Sequence, residues 1–66
     1  MEKPYLVRSM CIGNYKHFKV GQVYTVECHG TIDWGLDYRT FKIEGEVLRP
    51  GLYSLCFEQI RVLGLN

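Results

Sequence analysis

Three cysteines and two histidines, Cys11, His17, Cys28, His29 and Cys56, are the side chains here best suited to hold a metal ion or to attack an electrophile. A structural zinc site needs four such groups on a tetrahedron and is usually written as two close pairs of the Cys-x-x-Cys kind. No pair in this chain has that spacing. Cys11 and Cys28 could approach each other across paired strands, but Cys28 and His29, as neighbours on a strand, project to opposite faces. Neither a metal nor any other cofactor is expected. A nucleophilic cysteine needs a base beside it and a lowered pKa. His17 or His29 could serve as that base, yet no third residue orients it and nothing supplies an oxyanion site. Asp33 and Asp37 lie in a stretch with two glycines, where short carboxylates bond their own backbone in turns. No catalytic residue is assigned, and the chain is read as a binding protein and not an enzyme.

Two other groups of residues suit recognition. Tyr15, Lys16, His17 and Lys19 interleave aromatic and basic side chains in one polar segment, and Arg39, Lys42 and Tyr38 repeat the combination further on. Small β-barrels bind single-stranded nucleic acid with such groups, stacking bases on aromatic rings and tracking phosphates with cations. Against this stands a balance of eight Lys and Arg to seven Asp and Glu, a net charge of only +1, which gives no general pull towards a phosphate backbone. The second group is centred on Trp34, the single tryptophan, set between Asp33 and Gly35. Tryptophan, tyrosine and arginine dominate the energetics of protein interfaces, so Trp34, Tyr38, Arg39 and Tyr15 form a candidate set of anchors for a protein partner. A tryptophan in a small barrel can instead close one end of the core. The sequence leaves its orientation open.

These residues must be held by very little protein. Sixty-six residues make one domain, and a chain of that length buries only about 60% of the surface its unfolded form exposes. Hydrophobic residues make up 47% and aromatics 14%, enough to fold and too much for disorder. The odd number of cysteines speaks against a disulfide framework and for reduced, buried thiols inside a cell. No signal peptide is visible after Met1-Glu2-Lys3-Pro4. No apolar run approaches the ~20 residues that cross a bilayer, so a soluble cytoplasmic protein is expected, with no membrane partner.

The elements read as short strands. Tyr5 to Ile12 is rich in β-formers between Pro4 and Gly13. Its inner face is ambiguous, because Leu6, Met10 and Ile12 compete with Val7, Ser9 and Cys11. Gln22 to Cys28 alternates, with Tyr24, Val26 and Cys28 on one face. His29 to Asp37 reads as an extended hairpin connection. Tyr38 to Glu44 alternates again and puts Phe41 and Ile43 on one face. A tight turn at Glu44-Gly45-Glu46 leads to a brief strand through Val47 and Leu48, which Arg49-Pro50-Gly51 ends. Tyr53 to Phe57 suits one helical or 3₁₀ turn with Ser54 as N-cap, and Glu58 to Leu63 returns to strand. Five strands with turns every eight to twelve residues predict an all-β, five-stranded small barrel filling residues 1–66. Closing the sheet hides the edges that would otherwise invite aggregation.

The residues Val7, Cys11-Ile12, Phe18-Lys19-Val20-Gly21-Gln22-Val23-Tyr24-Thr25-Val26, Tyr38, Phe41, Ile43 and Tyr53-Ser54-Leu55-Cys56-Phe57-Glu58-Gln59-Ile60 carry a resemblance. The pattern Phe-x-x-Gly-x-x-Tyr-x-Val before the second strand, with Ser-x-x-Phe-Glu-x-Ile before the last, resembles small Src-homology-3-like barrels encoded by tailed bacteriophages. It spans about Tyr5 to Ile60, and the longer Gly30 to Asp37 segment with Trp34 departs from it. The resemblance implies a viral accessory protein made in the host bacterial cytoplasm that binds and inhibits or redirects a bacterial host protein. A single-stranded nucleic-acid-binding barrel, a virion structural or assembly component, and a homodimer formed by strand addition stand beside it as alternatives.

Overall fold

The computed structural model describes residues 4–65; Met1 to Lys3, where a leader would begin, and Asn66 lie outside them. The chain runs β1 (Tyr5–Cys11), β2 (Val23–His29), β3 (Ile32–Asp33), β4 (Leu36–Asp37), β5 (Thr40–Ile43), β6 (Glu46–Leu48), α1 (Pro50–Cys56) and β7 (Phe57–Leu65). Five strands form one antiparallel sheet in the order β6-β5-β2-β1-β7, and β3 and β4 form a separate two-stranded ribbon. The β-rich expectation holds, with one short helix before the last strand. Two details differ: the described residues form seven strands, and β6 and β7 end the sheet as unpaired edges, so it is not closed into a barrel. The helix α1 packs against both β5 and β7.

Parity decides the first strand. Val7, Ser9 and Cys11 are fully buried, whereas Leu6 and Met10 are half-buried on the outer face. The even positions look greasier, but they include Arg8, and burying a guanidinium costs far more than burying a hydroxyl that finds a partner. Ser9 finds one in the Tyr53 hydroxyl. The core is completed by Val26 and Cys28 from β2, Phe41 and Ile43 from β5, Leu48, and Tyr53, Cys56 and Phe57, with Phe18 inserted from the β1–β2 loop. Phe41 and Tyr53 stack at 3.9 Å, and Phe18 meets Tyr24 and Phe57 edge-on at 5.1 and 5.5 Å.

The helix begins three residues before the expected turn. Arg49 is its N-cap, without a side-chain bond, and Pro50 occupies the first turn. Proline has its φ preset for that position and lacks only an N–H that would be unpaired there anyway. The residue expected to end a strand therefore starts a helix, Ser54 lies inside it and does not cap it, and Tyr53 and Cys56, three apart, face the core together.

Candidate functional site

The seven candidate binding residues divide between opposite ends of the sheet. Tyr15, Lys16, His17 and Lys19 belong to the β1–β2 loop, beside the β5–β6 turn. Trp34, Tyr38 and Arg39 belong to the β3–β4 ribbon, which leaves from the far end of β2. The six steps along β2 from Val23 to His29 separate the two ends by about 20 Å, so they do not form one patch.

At the first end the basic groups are already engaged. The Phe18 N–H donates to the Tyr15 carbonyl at 3.1 Å, which closes a tight turn with Lys16 at a positive φ of 49°. Phe18 enters the core, and the rings of Tyr15 and His17 stack with it at 6.0 and 4.3 Å. The loop then lies against β5–β6: Lys16 Nζ is 3.1 Å from Glu46, and His17 Nε2 is 3.3 Å from Glu44. The hydrogen bond to Glu46 raises the Lys16 pKa above its ordinary value. Lys19 alone of the three has no carboxylate partner among the described residues; its backbone N–H donates to the Tyr24 hydroxyl at 3.0 Å. Glu46 therefore offsets the Lys16 charge, and Glu44 adds a second carboxylate to the surface a phosphate backbone would follow.

At the other end the chain holds an apolar tip clear of the protein. Gly30 starts the ribbon at φ +84°, and a Cβ there would lie 2.5 Å from the Tyr38 carbonyl oxygen, so only glycine fits. Ile32 pairs with Asp37 and Asp33 with Leu36. Trp34 at φ +52° and Gly35 at φ +75° form the two-residue apex, a turn with both central residues left-handed. Trp34 is 94% exposed, so it is no lid on the core. Ile32, Leu36 and Tyr38 are each more than half exposed beside it. The sequence reading included Tyr38 but missed Ile32 and Leu36. Their signal was present: two large apolar residues among turn formers, with no strand long enough to bury them.

Arg39 anchors the base of this ribbon. Its backbone N–H and Nε donate to Asp37 Oδ1 at 3.0 and 2.9 Å, Nη2 donates to Oδ2 at 2.7 Å, and the guanidinium lies over the Phe41 ring at 5.2 Å. The pair raises the pKa of Arg39 and lowers that of Asp37, in each case chiefly through these side-chain bonds. Asp37 thus bonds nearby backbone, as expected of a turn aspartate, and also fixes the arginine. Tyr5 lies close by; its hydroxyl pKa is raised first by a hydrogen bond with Cys28 and then by burial.

The thiols do not meet as the sequence allowed. Cys28 is opposite Tyr5, at the other end of the β1–β2 ladder from Cys11, again about 20 Å away. All three thiols are buried, and Cys11 donates to the Gly13 carbonyl at 3.2 Å. His29 turns away from Cys28 and reaches Glu27 at 3.1 Å. Among the described residues no three His, Cys, Asp or Glu side chains gather where a metal could sit, and no helix is long and apolar enough to cross a membrane. No protein-family model, curated protein or solved structure matches the chain.

Proposed function

We propose that this chain is a small binding module that grips a protein partner with the Trp34 ribbon and performs no reaction of its own. One observation carries the reading: a tryptophan stands 94% exposed at a left-handed apex. Two costs meet at that residue. A bulky side chain at positive φ is strained, and a large apolar surface in water gains nothing from folding. Both are repaid when the ring enters a partner's pocket, as buried tryptophans at the centre of interfaces do. Ile32, Leu36 and Tyr38 extend the contact, while Arg39 and Asp37 keep the ribbon pointing outwards.

In this reading the sheet is an open-seamed Src-homology-3-like barrel and the partner is a bacterial protein met in the host cytoplasm by a phage accessory protein. The strand order and the helix before β7 support the fold in this reading, and the sequence resemblance alone supports the partner. Strand addition by a second copy fits less well, because β7 is the longer free edge and two register shifts against β1 interrupt it, a device that discourages edge pairing. The pairing of Lys16 and His17 with Glu46 and Glu44 weighs against single-stranded nucleic acid.

Affinity capture from bacterial lysate tests the proposal. The native chain should retain one dominant protein that Trp34→Ala loses and that Lys19→Glu keeps. Equal retention by native and Trp34→Ala chains would refute the ribbon as the site. A mobility shift with single-stranded oligonucleotides that weakens steeply with salt would refute the choice of partner class.

A further inference from the structure

The outer face of the sheet carries two like charges brought together by strand pairing. Arg8 in β1 and Arg61 in β7 are direct cross-strand partners, a position where Cβ atoms lie about 5 Å apart and like charges repel. Neither guanidinium has a carboxylate within 4.0 Å among the described residues, whose ion pairs join Lys16, His17, His29 and Arg39 to other acids. Two acids stand diagonal to the pair on this face: Glu27 opposite Leu6, and Glu58 opposite Met10. Glu27 is already bonded to His29.

Arg8 is held in place without being neutralised. It is half-buried, and its Nη1 donates to Thr25 Oγ1 at 2.6 Å on the β2 side. A guanidinium has five N–H donors in a rigid fork, so most of Arg8's remain for another acceptor. Arg61 stands exposed on the β7 side. Beyond Thr25 the same face opens into a groove of about 390 Å³, lined by Leu6, Thr25 and Lys42 together with three carboxylates, Glu27, Glu44 and Glu46. Those carboxylates repel further negative charge, so the anion is confined to the arginines and only a neutral or cationic remainder of a ligand fits the groove.

The geometry points to Arg8 and Arg61 as a clamp for one oxyanion, a carboxylate or a phosphate group, bound between the two guanidiniums. Planar forks match both groups with paired N–H···O bonds. An anion there also removes the repulsion that the cross-strand register imposes, so binding and relief of strain act together. The clamp lies on the sheet face and does not depend on the Trp34 ribbon.

Thermal unfolding at neutral pH in sodium phosphate, sodium succinate and sodium chloride of equal ionic strength tests this. Phosphate and similar salts stabilise most folded proteins by exclusion from the surface, so the informative quantity is the difference between variants. The native chain should gain several degrees over chloride in one or both oxyanions. Arg61→Gln should lose that excess while melting no lower than the native chain in chloride, and Lys19→Gln should keep it. A gain confined to phosphate identifies a phosphate ligand, and one confined to succinate identifies a carboxylate. No excess over chloride in the native chain, or an equal excess in Arg61→Gln, overturns the proposal. Arginine Nε–H NMR resonances supply a second readout: those of Arg8 and Arg61 should shift together during the titration.

Discussion

Replacing Trp34 by asparagine separates the cost of the ribbon apex from its use. With 94% of Trp34 exposed, folding hides about 15 Å² of a ring of up to about 250 Å². At about 25 cal/mol per Å² that burial contributes only about 0.4 kcal/mol. The backbone works the other way. A left-handed conformation costs an ordinary L-residue about 1–2 kcal/mol, and asparagine is one of the few that adopts it routinely. Trp34 sits at φ +52°, so Trp34→Asn should leave stability unchanged or raise it by up to about 1 kcal/mol. For a domain of this size that is a rise in Tm of up to about 4–8 °C, read by circular dichroism. Partner affinity should move the opposite way. A central tryptophan anchor contributes at least about 2 kcal/mol, so Kd measured by calorimetry should weaken by about 30-fold or more. A loss of more than 1 kcal/mol in stability would mean that the ring packs on its own protein, and the reasoning would fail there. A stable variant that binds its partner undiminished would fail it at the other end.

Three further outcomes test the scaffold. Ser9→Ala and Tyr53→Phe each leave one buried hydroxyl without its partner and should each cost about 1–3 kcal/mol in urea unfolding; the double variant should cost clearly less than the two together, and strict additivity would show that the hydroxyls do not bond. Gly30→Ala combines a positive φ with a Cβ 2.5 Å from the Tyr38 carbonyl and should cost about 2 kcal/mol or more, whereas a melting curve like that of the native chain would mean the ribbon leaves β2 differently. Asp37 should titrate below the ordinary aspartate range when followed by carboxyl NMR, and Arg39→Gln should return it to that range. Because its folded pKa is lowered, its contribution to stability is present above the ordinary aspartate pKa of about 3.9 and is lost as pH falls through the lowered value; an unchanged titration in Arg39→Gln would remove the ion pair as its cause.

Much of the fold was legible because it rests on local rules. The alternation in Gln22 to Cys28 set Tyr24, Val26 and Cys28 on one face, of which Val26 and Cys28 are buried, and the Phe41 and Ile43 face was readable in the same way. The register of β1 looked ambiguous by hydrophobicity, yet the sequence contained the answer, since only one parity keeps Arg8 out of the core. The helix start was missed because Pro50 was read as a strand breaker, when the same fixed φ also suits a first helical turn. The site was less legible. Nothing local indicates that Glu44 and Glu46 will engage His17 and Lys16, because 27 and 30 positions separate the partners and the pairing exists only once β5–β6 folds beside the β1–β2 loop.

The amino-acid order alone settled that this chain is one β-rich unit with buried thiols, short strands and glycine-supported turns, because alternation and turn chemistry act over a few residues. Tertiary structure alone decided that Trp34 points into water, that the candidate anchors separate to opposite ends, and that Arg8 faces Arg61. Each of these depends on which strands become neighbours and in what register, and register is set by packing across the whole sheet.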